Sequence, residues 1–265
     1  MNNTKKKSPI SWVPTAYFAM GLPFVVLNMV TVLMFKGLEV DDKLITFWTS
    51  LILLPWTLKP LWSPFLELFR TKKFFVIVTQ LITGITFGLV AFALNLSHFF
   101  SISIALLAIV AFSGATHDIA CDGVYMSELS NEDQARFIGW QGAFYNIAKI
   151  LATGGLVYLA GYFIELNADA GLLTANKRAW MIILLILSVT MILLGIYHLF
   201  ALPSTQSASS RKTLRSNKEV MKELGQVLMD FFRKTHITYY IFFIILYRFA
   251  EGFVMKIVPL FLKAD

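Results

Sequence analysis

Seven long apolar runs, at roughly 10–36, 44–66, 74–96, 99–125, 137–163, 179–202 and 237–262, decide which solvent this chain can fold in. Each exceeds the ~20 residues a helix needs to cross a hydrocarbon core of about 30 Å. Membrane strands would need only about 10 residues each and would alternate in polarity, which these runs do not. Inside lipid a helix satisfies its own backbone hydrogen bonds, so the runs predict helices. Composition agrees, with 57% hydrophobic and 15% charged residues, where a soluble chain carries about 25% charged. A single Cys excludes an internal disulfide framework. The predicted class is all-α: a polytopic membrane protein.

The charges between the runs orient it. Lys5, Lys6, Lys7, Arg70, Lys72, Lys73, Arg136 and a basic loop over 203–236 fall on one side. Lys36, Lys43, Lys177, Arg178 and Lys263 fall on the other. The positive-inside rule then predicts a cytoplasmic N-terminus and, with seven spans, an outer C-terminus. The first run is far longer than a 7–15-residue signal core and lacks an A-x-A cleavage site, so it reads as a span.

Six spans (1–202) precede the loop at 203–236, and one further span (237–265) follows it. The loop opens with a polar linker, Pro203–Ser210. At 217–234, Val220, Leu224, Val227, Leu228, Phe231 and Phe232 recur at helical spacing, which predicts an amphipathic surface helix. A six-span bundle, a loop and one more span read as part of a larger protein. Phe18–Gly21 echoes Phe249–Gly252, and parallel six-span repeats are a transporter device.

An ionisable group at the centre of a span costs at least ~2.5–3.5 kcal/mol, so such groups mark pathways or paired networks. Lys59, Asp118, Asp122, Lys149, Arg248, Glu251 and Lys256 fall in or near the runs. At about 1.5 Å per residue, Lys149, Arg248 and Glu251 lie roughly 17–21 Å deep, near the midplane. Lys256 lies near the outer edge, where it can snorkel. Asp118 and Asp122 share a helix face. They read either as a proton-carrying pair or as an ion-pair network with Lys59, and the second reading is preferred. Glu251, deeper and one turn from Arg248, is the better candidate proton carrier. Lys149 and Arg248 suit an anionic solute, unless they pair with Asp118 or Glu251. Pro23, Pro55, Pro60 and Pro64 interrupt the first two spans. Gly84-x-x-x-Gly88 and Gly154-Gly155 read as sites of close helix approach.

The chain contains no G-x-x-x-x-G-K-[ST] and no H-E-x-x-H. Its four His and one Cys form no metal-ligand spacing, and no nucleophile–base pair is visible. His117, beside Asp118, reads as a structural or solvated histidine near a helix end. The basic loop holds no nucleic-acid motif. The sequence therefore predicts no enzyme, no cofactor, no metal and no nucleic-acid partner. A seven-span receptor or sensor is the competing class, and the lack of a signalling domain weighs against it.

Four segments resemble the major facilitator superfamily, and more closely the AmpG-like muropeptide permeases. They are Gly21-Leu22-Pro23; Lys59-Pro60-Leu61-Trp62-Ser63-Pro64 with Glu67 after it; Ser113 through Asp118-Ile119-Ala120-Cys121-Asp122; and Leu246-Tyr247-Arg248 through Glu251-x-Phe253-x-Met255. The resemblance covers essentially the whole chain. It implies a bundle of six helices plus the seventh, opening a second bundle of which about five helices are missing. It further implies proton-driven import of anhydro-muropeptides across the bacterial inner membrane. Related branches carry siderophores or coenzyme A esters. Lys59, Asp118, Asp122, Arg248 and Glu251 fall on the family's charged positions; Lys149 does not, the family's basic residue falling two positions earlier, at Ile147. On this reading one bundle alone cannot alternate its access and needs a partner half.

Overall fold

The computed structural model describes residues 7–63, 66 and 71–203, and a discontinuous set between 222 and 250. Among the described residues there are helices and turns and no strand. Six helical segments are long and apolar enough to cross a membrane: span one (Pro9–Gly37), span two (Asp42–Leu61), span three (Lys72–Ala93), span four (Phe99–Glu128), span five (Asn131–Leu166) and span six (Leu172–Ala201). The protein is therefore an all-helical, multi-pass membrane protein. The seventh run and the surface helix at 217–234 lie for the most part outside the described residues.

Helix ends follow from capping. Asp41 opens span two, its Oδ1 accepting from the Lys43 and Leu44 amides at 2.9 and 3.4 Å. Thr71 Oγ1 accepts from the Phe74 amide at 3.2 Å, and Ser130 Oγ accepts from the Asp133 amide at 3.2 Å. These caps draw polar residues into the helices. Span five accordingly begins several residues before its apolar run, at Asn131, and span six begins early too, at Leu172, without a side-chain cap. Span two breaks at Leu53, restarts at Leu54–Leu58 and tightens to a 3₁₀ turn at Lys59–Leu61, where Pro55 and Pro60 cannot continue the regular ladder.

Spans one and five each contain a π-helical turn, at Val26–Val30 and Leu151–Leu156. The first follows Pro23, and the second contains Gly154 and Gly155. The two turns pack against each other.

Span three lies between spans four and six, and span one lies on span five. Small residues set the close approaches. A Cβ on Gly84 would meet Ile192 Cγ1 at 2.7 Å and Ser188 O at 2.9 Å; on Gly21 it would meet Tyr145 O at 2.8 Å. The Gly84/Gly88 reading holds, because Gly88 also faces Ser188. The Gly154-Gly155 reading does not. Gly154 has nothing within 4 Å, and Gly155 meets only the Leu151 side chain of its own helix.

The packing repeats only in part, the second contact of each exchanged pair being much the smaller. Exchanging spans one and four, two and five, three and six maps the one–five contact onto four–two and the three–four contact onto six–one. The one–four and three–six contacts map onto themselves. The five–six and one–two contacts have no counterpart of comparable extent.

Candidate functional site

Between its first turn and Asp118, span four carries no charged side chain. Asp118 Oδ2 accepts from Lys59 Nζ at 2.7 Å and from Trp56 Nε1 at 2.9 Å. Its other oxygen is buried without a hydrogen-bond partner. The interruption of span two builds this contact. Pro55 and Pro60 flank the short segment that presents Trp56 and Lys59 to span four. Gly114 makes room for the indole, since a Cβ there would meet Trp56 Cζ2 at 2.8 Å. Phe24 of span one holds the same ring edge-on, at 5.3 Å between centroids.

One turn along, Asp122 Oδ1 accepts from the Tyr17 hydroxyl at 2.8 Å, and Tyr17 accepts from Gln141 Nε2 at 2.7 Å. Each carboxylate thus holds a different neighbour. Asp118 ties span four to span two, and Asp122 ties it to spans one and five. Between them sits Cys121, the only thiol in the chain, 1% exposed. The preferred reading of Asp118, as an ion pair with Lys59, matches this geometry.

His117 is neither solvated nor isolated. Its Nε2 lies 2.9 Å from Gln80 Nε2, and Gln80 Oε1 lies 2.9 Å from His198 Nδ1. His198 Nε2 reaches Thr15 Oγ1 at 2.9 Å. One fully buried glutamine therefore bridges two buried histidines across spans three, four and six, ending on span one. Nδ1 of His117 has no partner. The row transmits protons poorly, because a neutral amide between the imidazoles gives up a proton reluctantly. It does fix ring orientation: each end of Gln80 prescribes a donor or an acceptor on the facing histidine.

Lys149 does not meet Asp118. Among the described residues it touches no carboxylate; its Nζ stands over the Tyr145 ring, 5.9 Å from the centroid. It lines a cavity of about 400 Å³ between spans one and five, with Asn28, Asn146, Thr153 and the apolar Phe24, Val25, Met29 and Ile150. Both π-helical turns border this cavity. A larger groove of about 640 Å³ between spans two and four is apolar except for Ser101, so it offers nothing to orient a polar solute.

The structure therefore brings Lys59 and Asp118 together, sets Asp122 beside them, and holds Lys149 apart. Arg248 and Glu251 lie outside the described residues. Sequence reasoning missed Trp56, Tyr17, Gln141, Gln80, Asn28, Asn146 and Thr153. A usable signal existed for two of them, because Asn146, Lys149 and Thr153 stand three and four apart on one helix face. No family model matches the chain, and no curated protein or solved structure matches it either.

Proposed function

We propose that this chain belongs to a proton-coupled secondary transporter of the major facilitator type, similar to the AmpG-like permeases. It moves a small anionic solute, anhydro-muropeptide first among them, inward across the bacterial inner membrane, with its N-terminus in the cytoplasm. The observation that carries this reading is the partition of charge. The charged groups of the described spans that pair across helices or line the cavity, Lys59, Asp118, Asp122 and Lys149, belong to spans two, four and five, and Tyr17 of span one completes their contacts. Span three carries charge only in its opening turn and span six only within its first two turns. A solute path between spans one, two, four and five, backed by three and six, accounts for that segregation.

The chemistry follows from the contacts. Ionised Asp118 holds Lys59 and Trp56, and Asp122 holds Tyr17, so spans one, two and four are latched together at one end. A proton on Asp118 cancels the charge that retains Lys59 and loosens the latch. Lys149, without a carboxylate among the described residues, is left to meet the solute.

The test is uptake of labelled anhydro-muropeptide into vesicles carrying this chain together with the partner half it needs, with and without an imposed proton gradient. The reading expects accumulation that collapses with the gradient and is lost in Asp118→Asn. Accumulation that ignores the gradient removes the coupling. Uptake of a siderophore or a coenzyme A ester in place of muropeptide moves the solute and keeps the transporter. No gradient-driven uptake of any of the three rejects the proposal.

A further inference from the structure

We infer that the cavity between spans one and five is a binding site for a carboxylate with a hydrogen-bond donor beside it, such as the end of an N-acylated amino acid or short peptide. The inference deepens the transporter reading and rests on it only for the solute's passage onward. Four observations converge on the site. Lys149 offers a cation with no carboxylate on it among the described residues. Asn28 is 8% exposed and lines the cavity, yet its Oδ1 has no hydrogen-bond partner. A buried amide left in that state costs about 1–3 kcal/mol, which a ligand donor recovers. Asn146 spends its Nδ2 on Gly142 O at 2.8 Å, leaving its carbonyl as a second acceptor at the mouth. Thr153 is turned inward onto Lys149 O at 2.9 Å, so it shapes the wall without binding.

The set of groups selects the ligand. One point charge matches one carboxylate. A phosphate carries about −1.5 to −2 and is usually met by a guanidinium fork or several N–H donors; no arginine lines this cavity, and Asn146 spends its Nδ2 on Gly142 O. The two amide carbonyls call for N–H or O–H donors next to the anion. The first π-helical turn carries Asn28 and the second, which carries Thr153, begins two residues after Lys149, and π turns recur at functional sites. Gly154, with nothing within 4 Å, leaves the second turn free to adjust around a ligand.

The test uses the purified full chain in detergent, with N-acetylalanylalanine, its C-terminal amide and inorganic phosphate as probes. Binding is read by calorimetry and by the shift in thermal unfolding. The acid is expected to bind at least roughly 10-fold more tightly than the amide, the ratio a lost charge-assisted hydrogen bond produces. Lys149→Gln is expected to erase that preference and Asn28→Leu to weaken both peptide probes. The acid–amide comparison on the unaltered chain needs no variant to fold. Equal binding of acid and amide, no binding of the acid, tighter binding of phosphate, or an unchanged preference in folded Lys149→Gln each overturns the site. Gradient-driven uptake without this preference rejects the site and leaves the transporter; the preference without uptake does the reverse.

Discussion

Asp118 is the residue that ties Lys59 and Trp56 of span two to span four. Removing Lys59 leaves its carboxylate with the Trp56 indole alone. Breaking a buried pair from one side costs about 3–5 kcal/mol, and the 28% exposure of the Lys59 side chain places this case at the lower end. Lys59→Met is expected to lower the unfolding midpoint in detergent, and adding Asp118→Asn to recover at least half of the loss. A double variant no better than Lys59→Met would deny the pair its coupling. Gln80→Leu is expected to cost a further, separate amount of about 1–3 kcal/mol, because it strips a partner from each of two buried histidines. Circular-dichroism melts of the variant check this. The charges of this site were legible in the sequence, since a lysine or aspartate stands out in an apolar run. Their partners were not. Trp56 and Tyr17 count as apolar in any hydropathy pattern, and whether indole N–H or phenol O–H meets a carboxylate depends on the packing of spans 60 to 100 positions apart. His117 read as structural or solvated, and the structure takes the first reading, through Gln80 and His198, which come to it only through the fold.

At the scale of the helix, the apolar runs located the six described spans, and their ends moved outward wherever a cap was present. Ser130 starts span five inside polar sequence that hydropathy assigns to a loop, and span six starts early after Gly171 without a side-chain cap. The π-helical turns were illegible, because they answer to the neighbour each helix must fit and not to a residue pattern. Two glycine substitutions separate packing from permissiveness. Gly84→Val forces a branched side chain against Ser188 O and Ile192 and is expected to cost about 1–3 kcal/mol or more. Gly154→Ala enters open space and is expected to leave the midpoint within about 1 kcal/mol of its starting value. Melting both proteins in the same detergent decides the contrast; equal losses would refute the assignment of span three to span six.

For the molecule as a whole, the hairpins at 38–41 and 129–130 lie at opposite ends of the bundle, because an odd number of spans separates them. In a Cys121→Ala background, Glu39→Cys is expected to react with an impermeant maleimide on intact cells, and Asn131→Cys only after permeabilisation. The reverse pattern would invert the orientation read from the loop lysines and arginines. The unaltered chain also carries a natural stopwatch. Its one thiol is sealed on span four, between the carboxylates that fasten that span to spans one and two. Any motion that unfastens them hands that atom to an alkylating reagent, so the pace of alkylation times the opening directly, with no dye, tag or engineered label.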